Sequence, residues 1–107
     1  MLQHRYSGHA DLVCLLLENG ANIEAARSDG RTALNTAAYF GHTDVVRLLL
    51  EMSANIEATR SDGGTTLDTA AYFEHSDVVR LLLEKGANIE ATRSEGGTAL
   101  DNAAYFG

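Results

Sequence analysis

A 33-residue period runs through this chain and leaves little freedom in what it can fold into. Aligned position by position, residues 29–61 and 62–94 differ at 31/64, 33/66, 35/68, 41/74, 43/76, 52/85 and 53/86, leaving 26 of 33 identical. Chance does not produce such a match. The frame continues in both directions: Gly8-His9-Ala10-Asp11 matches Gly41-His42-Thr43-Asp44, and residues 95–107 match the start of the unit. A period of this size implies a stack of like units, each burying its faces against its neighbours.

Each unit has the same internal grammar. Ser-Asp-Gly-Arg at 28–31 and Ser-Asp-Gly-Gly at 61–64 are turn sequences, rich in residues that accept left-handed φ. A first helix is predicted over about Ala33–Phe40, with Thr32 as N-cap and Asn35 three residues on. The pairs Thr65/Asp68 and Thr98/Asp101 repeat that spacing and resemble a capping box with a shortened acid. Gly41 suits a left-handed C-terminal cap. A second helix is predicted over about Asp44–Met52, with an acid in its first turn and Val45, Val46, Leu48, Leu49 and Leu50 on more than one face. Such a helix is buried between neighbours. Gly20 and Gly86 close the second helices of their units, and Ala-Asn-Ile-Glu-Ala leads into the next turn.

The pattern D-G-x-T-x-L-x-x-A-A-x-x-G-H-x-D-V-V-x-L-L-L-E-x-G-A-N-I resembles the ankyrin repeat along the whole chain. The resemblance implies an all-α repeat fold: an ankyrin-repeat solenoid of stacked helix-turn-helix units joined by β-turn loops. Residues 1–107 then form one domain, with a partial repeat at 1–28, full repeats at 29–61 and 62–94, and a partial repeat at 95–107. Two departures from the family pattern stand out. The family's Thr-Pro-Leu-His appears as Thr-Ala-Leu-Asn, Thr-Thr-Leu-Asp and Thr-Ala-Leu-Asp, and the chain has no proline. Losing a proline that presets φ weakens each first helix slightly, and Asn35, Asp68 and Asp101 are the candidates to replace the missing His between repeats. Glu74 stands where Gly8, Gly41 and Gly107 stand, and Ser53 where Gly20 and Gly86 do. If both positions are left-handed, each substitution costs about 1 kcal/mol, so the middle of the array is expected to be its weak part.

Composition narrows the function classes. A net charge of −7, with eight scattered Lys and Arg, excludes a partner held through clustered phosphate contacts. The longest apolar run is six residues, Leu12–Leu17, far short of a membrane span, and the N-terminus lacks the apolar stretch of a secretory signal. One cysteine, Cys14, forms no intrachain disulfide and fits a reducing compartment. The expectation is a cytoplasmic protein with no membrane or nucleic-acid partner.

Binding residues follow from the resemblance, which implies contact through the turn tips and the exposed face of the first helices. The turn candidates are Ser28, Asp29 and Arg31, then Ser61, Asp62 and Gly64, then Ser94, Glu95 and Gly97; the helix candidates are Tyr39 and Phe40, Tyr72 and Phe73, and Tyr105 and Phe106. With Tyr6, those helix positions hold every aromatic in the chain, four Tyr and three Phe. Two readings stand. Either the aromatics form an exposed ladder of the kind found at interface hot spots, or each Phe packs inward on its own second helix and only the Tyr is partly wet. Helix spacing of about 8–10 Å predicts separate aromatic sites, because a direct ring pair needs about 4.5–7 Å.

No catalytic or metal set emerges. His9, His42 and His75 recur one repeat apart, so equivalent atoms are expected about 10 Å apart, too far to share a metal; the family resemblance makes them structural links between turns. Cys14 occupies the place of Arg47 and Arg80, a surface-leaning position with no base beside it. Glycine pairs 63–64 and 96–97 lack phosphate-loop spacing. Glu24, Glu57 and Glu90 form a row read as solvated charge. The expected function is a non-catalytic protein-protein interaction module without cofactor. The alternative is a structural or engineered scaffold that self-associates through open repeat ends, since Leu100, Ala103 and Ala104 belong to a stacking surface. Equally, the segment can be part of a longer array.

Overall fold

The computed structural model describes residues 8–90 together with Leu100, Ala103 and Ala104. Between residues 8 and 90 the described residues form, in order, α1 (Gly8–Glu18), α2 (Ala33–Phe40), α3 (Thr43–Glu51), α4 (Thr66–Tyr72) and α5 (Ser76–Glu84). The first helices α2 and α4 pack on one another, as do the second helices α1, α3 and α5, giving two helical layers. This is the stacked helix-turn-helix arrangement that the period demands. The second helix starts one residue earlier than the sequence pattern suggests, at Thr43, because His42 takes the N-cap place.

Local chemistry sets the helix ends. Thr32 and Thr65, both in extended backbone, accept from the backbone N–H of Asn35 and Asp68. In α4 the Asp68 carboxylate also accepts from the Thr65 N–H at 3.3 Å, completing the box. Asn35 instead accepts at Oδ1 from the Thr69 hydroxyl of the next repeat, 3.3 Å away. It thus supplies the inter-repeat bond that the absent His would make, as the sequence allowed.

Gly41 ends α2 at φ +73, and a Cβ there would come within 2.7 Å of the His75 ring. Its missing side chain therefore serves both a left-handed cap and close packing of the next repeat. Glu74 and Ser53 adopt positive φ, 60° and 71°, so both pay the left-handed penalty foreseen from sequence.

The core is aliphatic. Leu34, Val46, Leu48, Leu49, Val78 and Leu82 are at most 1% exposed, and burying each such side chain is worth about 1.5–3 kcal/mol. Helix α3 buries Val45, Val46, Leu48 and Leu49 because it touches α1, α2 and α5. Cys14 corrects an expectation: it is buried, not surface-leaning. Ala10 and Cys14 lie one turn apart on the stripe of α1 that meets α3. A thiol is small enough to be covered there, whereas Arg47 and Arg80 at the same register reach out to solvent. Burial, then the Glu18 and Asp11 charges, push the Cys14 thiol above its ordinary pKa.

Candidate functional site: the turn tips and an aromatic ladder

Each turn is closed by two backbone bonds. Arg27 N–H donates to the Arg31 carbonyl and Gly30 N–H to the Arg27 carbonyl, both at 2.8 Å; Arg60, Gly64 and Gly63 repeat the pattern at 2.8 and 2.9 Å. Successive turns are tied together by Ser61 N–H donating to the Asp29 carbonyl at 2.9 Å. Backbone groups thus fix the spacing of the tips.

The acidic turn residues are already engaged. Asp29 Oδ1 accepts from Arg31 N–H at 3.0 Å, and Oδ2 sits 3.2 Å from Arg31 Nε. The Arg31 N–H bond first, helped by the Arg31 and Arg27 charges, holds the Asp29 carboxyl below its usual range against partial desolvation. In the next repeat Gly64 replaces the arginine, and Arg60 swings into the vacated space to pair with Asp62 at 3.2 Å. The same ion pair is thus made by different positions in adjacent repeats. That substitution of roles was not read from the sequence. Its signal was the Arg31/Gly64 difference beside a shared acid.

The aromatic residues are closer together than helix spacing suggested. Tyr39 and Phe73, from adjacent repeats, have ring centroids 4.4 Å apart. Within each repeat Tyr39 meets Phe40, and Tyr72 meets Phe73, edge-on at 4.8 Å. The rings therefore run Phe40–Tyr39–Phe73–Tyr72 without a break. Expecting separate sites failed because it measured between helix axes, while the side chains lean along the stack. The inward-packing reading of Phe also fails: Phe40 is 58% and Phe73 37% exposed, with Tyr72 at 41%. Tyr39 is the half-buried one, with the Arg31 guanidinium 4.7 Å over its ring. Glu95, Tyr105 and Phe106, like Ser94 and Gly97, lie outside the described residues.

Histidine rings adjoin the ladder. The Phe40–His42 and Phe73–His75 rings stack at 6.0 and 6.4 Å. His75 Nε2–H donates to the Tyr39 carbonyl at 3.0 Å, a link from one repeat to the next. His9 and His42 stack at 5.9 Å, nearer than one repeat spacing. Among the described residues no three His, Cys, Asp or Glu side chains converge as a metal site.

The row Glu24, Glu57, Glu90 is likewise more than solvated charge. Glu24 and Glu57 each accept, through Oε2, the backbone N–H of an asparagine one repeat further on, Asn55 at 2.7 Å and Asn88 at 2.6 Å. Among the described residues no helix is long and apolar enough to cross a membrane.

Comparison with curated proteins finds no match. A family model describing ankyrin repeats in three copies matches residues 1–93, most of the length. With the repeat period, the paired helices and the closed turns in agreement, the chain belongs to the ankyrin-repeat family.

Proposed function

We propose that this chain, a member of a family of generally protein-binding and typically non-catalytic modules, binds another protein through the aromatic ladder, with Phe40, Tyr72 and Phe73 as anchors and the turn tips at Asp29, Arg31 and Asp62 as the rim. The observation that carries this is the unbroken run of four rings, three of them more than a third exposed. Large aromatics held in fixed rotamers by their neighbours lose little entropy on binding, which is why such residues dominate interface energetics. The acids at the tips are matched by Arg31 and Arg60 within the molecule. Apolar burial, with cation-π contacts from a partner's Arg, therefore supplies the affinity, and charge supplies orientation. The reading extends to Glu95, Tyr105 and Phe106 by the repeat frame.

The test is affinity capture from a cell extract with the wild-type chain and with Phe40→Ala plus Tyr72→Ala. These two side chains are exposed, so the double variant keeps its helix content and melting temperature. Selective loss of captured proteins is the expected result. An unchanged capture profile from the folded variant would remove the ladder as the binding surface.

A further inference from the structure

Arg31 is a cation bound to the aromatic ladder from within the molecule. Its guanidinium lies 4.7 Å over the Tyr39 ring, and its Nε sits 3.2 Å from the Asp29 carboxylate. A ring face and a carboxylate hold it together, and Tyr39 is covered as a result. The rings that flank Tyr39 are different: Phe40 and Phe73 both stand open to solvent. Among the described residues no Lys or Arg lies over either of them.

The uncompensated charge around those two rings is negative. Phe40 and Tyr72 end α2 and α4, and neither helix has a basic residue in its last turn. The negative pole of each helix therefore meets no side-chain cation there. Helices α3 and α5 begin close by, but Asp44 and Asp77 in their first turns already balance their positive poles. Glu74 follows Phe73 and adds an exposed carboxylate where the preceding repeat has Gly41. Among the described residues no Lys or Arg pairs with it. Beneath the rings, Glu74, Ser76 and Asp77 meet Gly41 and Thr43 of the repeat before in an open hollow of about 300 Å³. At the other end of the first helices, by contrast, Arg31 and Arg60 neutralise the acids of the tips.

We propose that the partner of the ladder is an arginine-bearing protein segment, whose guanidinium groups lie on the Phe40 and Phe73 rings with Glu74 as the carboxylate beside them. The proposal rests on the ladder being the binding surface, and it assigns Glu74 as the residue that sets the preference for a cation. Arg31 provides the recognition unit in miniature: one flat guanidinium, one ring face and one carboxylate. A guanidinium suits this unit better than an ammonium, because it is planar, weakly hydrated and able to stack while its edge donates to a carboxylate. An acidic segment would meet Glu74 and the negative helix poles. A purely apolar one would take Glu74 out of water without a partner.

Fluorescence anisotropy tests this at about pH 8, where imidazole is ordinarily neutral. The labelled probes are peptides that alternate Ser with Arg, Lys, Leu or Glu. The Arg peptide is expected to bind tightest and the Lys peptide more weakly, with no binding of the Leu and Glu peptides. Added salt weakens the Arg complex. Glu74→Gln is expected to weaken it about threefold to fivefold, and Phe40→Ala plus Phe73→Ala about tenfold. Glu84→Gln removes the same charge at the far end of α5, and its effect is expected to stay below about twofold. Circular dichroism checks that each variant keeps its helices. Equal weakening by Glu74→Gln and Glu84→Gln would mean that net charge alone attracts the peptide, which overturns the proposal. Arg binding that survives the ring variant overturns it too, as does a preference for the Leu peptide. If extract capture still depends on Phe40 and Tyr72 in that last case, the ladder stands and only its choice of arginine falls. If neither capture nor peptide binding responds to the ring substitutions, both readings fall.

Discussion

The Glu24 carboxylate accepts the backbone N–H of Asn55 at 2.7 Å, across 31 residues of sequence and one step of the stack. Asn55 in turn accepts the Glu57 N–H through Oδ1 at 3.0 Å, and Glu57 accepts the Asn88 N–H at 2.6 Å. Asparagine shapes each loop as a local Asx turn, and glutamate ties that loop to the next repeat. Neither residue does both jobs.

Removing Glu57 is therefore expected to loosen the stack although its side chain lies near solvent. A bond from a neutral N–H to a carboxylate is among the stronger kinds, but exposure to water lowers its net worth. Glu57→Ala should cost about 1 kcal/mol, and Glu57→Gln, which keeps an acceptor, less. Urea denaturation measures this: the midpoint falls with the slope unchanged. Equal midpoints for wild type and Glu57→Ala would return the row to solvated charge.

How far the sequence carries can be judged from this row. Helix identity, the Thr65/Asp68 box, the left-handed positions at Ser53 and Glu74 and the Asn35 bond between repeats were all legible, because each is written in residue types at short, fixed spacings. Glu24 and Glu57 were not legible, since their partners are backbone N–H groups, which carry no sequence mark. Cys14 misled because register gives direction, while burial also depends on size. The aromatic ladder misled because rings reach several ångströms from the helix axis toward the neighbouring repeat. The swap of Arg31 for Arg60 depends on a cavity that Gly64 creates only once the turn is folded.

Ser53 and Glu74 mark the places where the array can be strengthened. Both hold positive φ without being glycine, and a left-handed residue with a Cβ costs about 1–2 kcal/mol, partly offset by the greater entropy that glycine loses on folding. Ser53→Gly and Glu74→Gly are each expected to stabilise by about 1 kcal/mol, and the pair to add, because the two sites cap different helices, their amides bonding to the Leu50 and Ala71 carbonyls. Thermal unfolding of both singles and the double checks magnitude and additivity. A neutral or destabilising outcome at both sites would show that their strain is relieved by contacts the geometry does not contain.

The Asp29 carboxyl gives a pH signature. Its pKa is lowered in the fold, chiefly by the Arg31 N–H and then by the Arg31 charge. The unfolded chain therefore binds the proton first as pH falls, and the stability that Asp29 contributes is complete above the ordinary carboxylate pKa of about 3.9. It is lost as pH drops through the lower value of the folded state. The gap in stability between wild type and Asp29→Asn is accordingly expected to be present at about pH 5 and to shrink toward about pH 3. A carboxyl NMR titration of Asp29 locates the midpoint directly; one at or above the ordinary value would contradict the geometry of the turn.

Gly30 and Gly86 separate two reasons for glycine that the sequence cannot distinguish. Both have positive φ, +85° and +93°, so alanine is strained at either place. Around Gly86 an added Cβ meets nothing within 4 Å, whereas at Gly30 it would lie 2.6 Å from the Ser61 nitrogen. That nitrogen is the donor to the Asp29 carbonyl that ties successive turns together. Gly86→Ala is thus expected to cost only the left-handed penalty, about 1 kcal/mol. Gly30→Ala must also push backbone away from backbone and break the Ser61 bond, for a total of about 3 kcal/mol. Hydrogen exchange supplies the sharper readout, because Gly30→Ala should expose the Ser61 amide while Gly86→Ala leaves it protected. Equal costs for the two variants, with Ser61 protected in both, would mean that the turns are not held by this bond.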